Sequence, residues 1–184
     1  MRLPLFPLEL FVLPGGLNKL RIFEPRYLRL VKIATKGQGF VILSMSKNNN
    51  SNNYTWGSWV EIINFDQSKE GILEIDVKCN SLVEILSVTT EVDQLSFGDV
   101  IRIDHWSQHK TERCTSNLSK SLETLFNSEP FLNQLYPEKM IANPNWVIAR
   151  WLELLPINID IKNNFIDTRS FNAAKNFVQS IIIK

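Results

Sequence analysis

The spacing of apolar residues changes once along the chain, between Trp106 and Thr115. That change limits the fold more than any single motif does. Before it, apolar runs are short and often alternate with polar residues, the period of a strand with one buried face. Leu20 and Ile22 alternate with Lys19 and Arg21, 40–45 is a compact apolar run, and 59–65 reads as strand. Glu70-Gly71 marks a turn, and Leu73, Ile75 and Val77 share one face of a strand over 72–77. Further strands are expected at 82–88 and 100–103, and the polar stretch 47–53 (KNNNSNN) as an exposed loop. One helix interrupts this region: Pro25 suits a first turn, Tyr27, Leu30, Val31 and Ala34 recur at helical spacing, and Gly37 is a stop.

Beyond Thr115 the helical period takes over. Leu118, Leu122, Leu125 and Phe126 share a face, with Ser116 as the expected cap. Asn143-Pro144 opens a second helix with Val147, Trp151, Leu154 and Leu155 on one face and Pro156 as its end. Thr168 is the expected cap of a last helix, along which Phe171, Ala174, Val178, Ile181 and Ile182 line up. Strands followed by helices specify an α+β chain: a small β barrel with one inserted helix over about 1–110, then a helical subdomain over about 111–184. Phe23, Tyr27, Val31, Ile75 and Val77 are expected in the barrel core, with Leu154 and Leu155 packing in the helical part.

Charge and composition narrow the function. The 184 residues suit one domain with a closely packed extension. Twenty Lys and Arg stand against 19 Asp and Glu, without the basic excess usual in nucleic-acid binders. Cys79 and Cys114 form no CxxC pair and suggest a reducing compartment. The apolar start after Met1-Arg2 is interrupted by Pro4, Pro7, Glu9 and Pro14, so it reads as an edge strand and not as a signal peptide. No apolar run approaches the ~20 residues of a membrane span. The expectation is a soluble cytoplasmic protein.

Three stretches then point to a family. Residues 3–27 read LPLFPLELFVLPGGLNKLRIFEPRY, with PLFPL, PGG and LRIFEPRY in order. Residues 61–87 read EIINFDQSKEGILEIDVKCNSLVEILS, and 146–156 read WVIARWLELLP. Together they resemble the amino-terminal, substrate-binding domain of Lon proteases, and in particular its stand-alone short bacterial members. The resemblance implies a PUA-like β barrel followed by a helical subdomain, used in Lon proteases to capture polypeptide. At this length neither the ATPase nor the protease domain of those enzymes is expected. Two positions depart from the pattern: Asn18-Lys19 replaces apolar residues or proline, and Asn80 stands where a turn glycine is common. Asparagine tolerates positive φ, so a turn is still expected there.

The residues themselves speak against the common catalytic patterns. None of the seven glycines precedes a lysine, so a phosphate-cradling P-loop is excluded. Gly37-Gln38-Gly39 opens like a dinucleotide loop, but Ile42 occupies the third glycine position. There is no GxSxG elbow. His105 and His109 have zincin spacing, yet Trp106 stands where the general base belongs, and an exposed loop or a packed ring pair is expected instead of a metal site. Ser44, Ser46 and Lys47, and Ser119 with Lys120, are serine–lysine neighbours in polar stretches, where a lysine is not desolvated enough to act as a base. No cofactor is implied.

What remains is binding. Trp56, Trp59, Trp106, Trp146 and Trp151 are many tryptophans for this length, and aromatics fill cores as readily as they line grooves. The expected function is a non-enzymatic module for unfolded polypeptide, or for a protease or chaperone partner. An RNA-binding PUA-like module is the alternative, and a small hydrolase a weaker third. The expected site is at the junction of barrel and helices, with Trp106, Trp146 and Trp151 and with Arg26 as a polar anchor at its edge. It requires at least one of the three tryptophans to be exposed, Trp146 at its helix start above all.

Overall fold

The computed structural model describes residues 1–44, 55–109 and 113–183, and of Arg113 and Cys114 only the backbone. The expected loop at 47–53 and the Ser46–Lys47 pair lie outside the described residues. Two compact units divide the chain, Met1–Asp104 and His105–Lys184. It is an α+β fold, with strands and one inserted helix in the first unit and helices in the second. Among the described residues no helix is long and apolar enough to cross a membrane.

The first unit holds β1 (Arg2–Leu8), β2 (Leu17–Ile22), β3 (Phe40–Ser44), β4 (Trp56–Gln67), β5 (Leu73–Thr90) and β6 (Ser96–Ile103). Their order is β2-β5-β4-β3-β1-β6, and β5 pairs with β6 as well, so five strands close a ring and β2 is added outside it. Leu3, Leu5, Val41, Leu43, Val83, Ile85 and Val100 form its core, with Trp59 packed against them.

The opening strand corrects the sequence reading, because β1 is not at an edge. It runs antiparallel to β6 over Arg2–Leu5 and parallel to β3 over Leu5–Leu8, so the two partnerships share only Leu5. Pro4 and Pro7 each therefore lie where the strand has a cross-strand partner on one side only, where a missing N–H is tolerated.

A second correction concerns Asn80, which is not at a turn. Residues 73–77 and 82–88, expected as separate strands, belong to one continuous strand, β5. Trp59 faces Ser81 while Val60 faces Cys79, so Asn80 is the extra residue of a β-bulge. Its exposed side chain costs nothing there, and the bulge turns β5 from its pairing with β2 toward its pairing with β6.

Helix α1 (Pro25–Ala34) matches expectation, with Pro25 in its first turn and Tyr27, Leu30, Val31 and Ala34 buried. The second unit holds α2 (Arg113–Ser128), α3 (Pro130–Leu135), α4 (Pro144–Leu154), α5 (Ile159–Lys162), a 3-10 turn (Asn163–Phe165) and α6 (Phe171–Ile182). Ser116 is inside α2 and not its cap, and Ser170, not Thr168, caps α6. Helix α4 is the centre of this unit: Trp146 to Leu152 are buried without a break, and α2 and α6 both pack on it. Leu155 is buried and Leu154 half-buried.

Candidate functional site

Alternation along β2 decides which way Phe23 points. Ile22 is buried, so the next side chain along an extended backbone turns outward. Glu24 is extended and Pro25 begins α1, which leaves no room for Phe23 to turn back. Phe23 is 71% exposed. The expectation that it belongs to the core is thereby corrected; Tyr27, Val31, Ile75 and Val77 are buried as expected.

Phe23 stands at a cavity of about 380 Å³, lined by Phe6, Pro7, Leu8, Arg21, Phe23, Glu24, Arg26 and Tyr27. The lining joins the end of β1, the end of β2 and the first turn of α1. Phe6 and Tyr27 pack with ring centroids 4.1 Å apart, and Phe6 continues inward to Phe40 at 6.1 Å. The charged groups of the lining are engaged. Arg26 donates from Nε and Nη2 to Glu24 Oε2, both at 2.8 Å, and its guanidinium lies 4.6 Å from the Tyr27 ring. Arg21 donates to Glu70 at 2.7 Å. An apolar hollow with an exposed aromatic and a charged rim suits an apolar side chain flanked by polar backbone.

The tryptophans behave differently. Trp106, Trp146 and Trp151 are 8%, 5% and 7% exposed. The Trp106 indole N–H donates to Ser170 Oγ at 2.9 Å, and its ring meets the edge of Phe171. Trp146 packs with Phe126 and Tyr136, under the Arg150 guanidinium at 5.5 Å. The Trp151 indole N–H donates to the Leu118 carbonyl at 3.0 Å. The exposure required of one of the three is not found; in α4 burial runs unbroken from Trp146 to Leu152 and is not confined to one stripe. Of the four residues expected at the site, Arg26 alone lines the cavity at Phe23.

Sequence reasoning also missed a buried charged cluster in the second unit. Arg150, 1% exposed at its side chain, donates to both carboxylate oxygens of Glu153 at 2.7 and 2.6 Å. Lys162 donates to the Glu153 carbonyl at 3.0 Å, and burial lowers its pKa while the Glu153 charge opposes the shift. His105 Nε2 sits 3.2 Å from the Phe165 carbonyl. Burial lowers the His105 pKa to about 4, that hydrogen bond opposes the shift, and the Arg150 charge adds to it. The i,i+3 spacing of Arg150 and Glu153 was the one available signal.

The catalytic candidates separate in space or in chemistry. Ser119 donates to the Thr115 carbonyl at 2.7 Å, and Lys120 is exposed. His109 stacks on Phe171 at 3.8 Å and His105 on Trp106 at 4.2 Å, so the two rings pack on aromatics. A second cavity, about 440 Å³, lies at the start of α4 beside His109, Lys139 and Met140. It lacks the exposed aromatic and the aromatic floor of the first.

Comparison with known proteins gives one consistent result. The family model described as the ATP-dependent protease La (LON) substrate-binding domain matches residues 2–182. A Lon N-terminal domain protein from Xanthomonas campestris is similar in structure, with a TM-score of 0.75, 23% identity and 98% of each chain covered. The N-terminal domain of Lon protease from the Mycobacterium avium complex superposes with a TM-score of 0.67 at 11% identity over 100% of both chains. Among curated proteins none matches in sequence.

Proposed function

The chain belongs to the LON substrate-binding domain family, and from that premise we propose that it is a non-catalytic module that binds unfolded polypeptide at the Phe23 cavity. The single observation that carries this reading is the 71% exposure of Phe23 over a hollow built on Phe6 and Tyr27. A folded chain gains by burying such a ring, and a ligand with an apolar side chain supplies the partner it lacks. Arg26 holds one wall in place through Glu24 and keeps the rim polar. A bound segment would be passed to a separate protease or chaperone partner.

The charge distribution favours polypeptide over RNA. Lys19, Arg21, Arg26 and Arg29 all face carboxylates within 4.0 Å, so phosphate contacts would have to displace existing ion pairs.

The test is titration of labelled, unfolded casein with the parent protein and with Phe23→Ala. The parent binds, and the variant binds roughly 10-fold or more weakly, the loss of about 1.4 kcal/mol or more seen at a contact hot spot. Because Phe23 is exposed, the variant should melt close to the parent. Equal affinity in the two proteins refutes the placement, and absence of binding to the parent refutes the function.

A further inference from the structure

The free edge of β2 runs into the Phe23 cavity. Among the described residues β2 pairs with β5 alone, and it is the strand outside the closed ring. The register identifies which backbone groups are left over. Cys79 N–H donates to the Gly16 carbonyl at 2.8 Å, and Leu17 faces Lys78. Antiparallel alternation then makes Asn18/Val77, Leu20/Ile75 and Ile22/Leu73 the bonded pairs. The backbone N–H and C=O of Lys19 and Arg21 point away from β5. They repeat at the two-residue interval of an extended chain, about 6.6 Å.

An exposed strand edge is ordinarily guarded by a bulge, a proline or a charged side chain over the edge. The outer half of β4 is guarded in this way, with a register shift between Ile62 and Asn64. Strand β2 has neither a proline nor a register shift. Its two cations are drawn back across the sheet: Lys19 Nζ lies 3.0 Å from Asp76, and Arg21 reaches Glu70 at 2.7 Å and Glu74 at 3.6 Å. The edge they leave leads directly to Arg21 and Phe23 in the cavity wall.

We propose that the polypeptide is captured as an added strand along the free edge of β2. Its backbone bonds to Lys19 and Arg21, and an apolar side chain from the same segment enters the cavity beside Phe23. This rests on the polypeptide-binding reading and narrows it to extended segments, since a helix has no backbone groups to offer an edge. A second copy of this chain, paired β2 to β2, is the competing occupant.

The probe is a short labelled peptide of alternating valine and threonine around one phenylalanine. Singly N-methylated versions remove one backbone N–H at a time and leave the side chains intact. Strand addition gives a period of two: methylation at alternate positions weakens binding roughly 5- to 10-fold, as expected for one lost hydrogen bond, and at the positions between has little effect. Lys19→Pro, which removes an edge N–H from the protein, lowers affinity with the melting temperature retained. Uniform tolerance of methylation, with binding still lost in Phe23→Ala, overturns strand addition and keeps polypeptide binding. Failure of the unmodified peptide and of casein to bind overturns both. Sedimentation showing a dimer that Lys19→Pro dissociates assigns the edge to a second copy instead.

Discussion

Two residues of the second unit show how burial turns a charge into a stability term. Arg150 is almost wholly out of water, and Glu153 supplies two charge-assisted hydrogen bonds to it. Removing one partner of a buried pair leaves the other charge desolvated, which typically costs about 3–5 kcal/mol. Glu153→Ala should lose that much in urea denaturation, and because Trp146 lies under Arg150, its fluorescence should report the change. His105 gives a pH dependence. Its folded pKa is about 4 against 6.5 unperturbed, so between those values the unfolded chain takes up the proton first. Stability is fully present above about pH 6.5 and is lost as pH falls toward 4, by on the order of 2–3 kcal/mol after allowing for the partial exposure of the ring. Urea midpoints measured from pH 7 to 4 should fall in the parent and fall less in His105→Gln. Neither role was legible beforehand: a histidine and an arginine in a row of letters carry no burial. Phe23 failed for a related reason, since an aromatic within an apolar run reads as core, whereas strand alternation after Ile22 turns it out.

At the level of elements, most strands and four of the helices, α1, α2, α4 and α6, were legible because hydrophobic period is a local property. Joins were not. Asn80 reads as a turn residue, yet the bulge at Trp59 and Val60 lets it continue a strand, and that pairing is with residues some twenty positions away. Pro4 and Pro7 suggest an edge, although β1 exchanges partners at Leu5. Helix α4 carries an apolar stripe in sequence, but its burial on every side follows from how α2 and α6 pack on it. One junction can be tested directly. Gly39 has φ +66°, and a Cβ there would collide with the Val60 carbonyl on β4. Gly39→Ala should therefore destabilise by more than about 2 kcal/mol, combining left-handed strain with a backbone clash. A melt within a degree or two of the parent would show that β3 enters the sheet differently.

For the whole molecule, the family match covers residues 2–182, and the non-catalytic role proposed above predicts how the protein treats polypeptide. Incubation of the pure protein with unfolded casein should give binding without cleavage, with or without ATP, and turnover that follows the protein through purification would contradict this. The closed ring also has a history in time. Arg2–Leu5 is made about a hundred residues before its antiparallel partner β6, and β5 too closes on β6. At ribosomal rates of about 5–20 residues per second, the opening strand waits roughly 5–20 s before its partner exists. During that interval Leu3 and Leu5, both buried in the finished barrel, are open to any passing chain. A domain whose proposed task is to hold unfolded segments is thus, while it is being made, a segment of that kind itself.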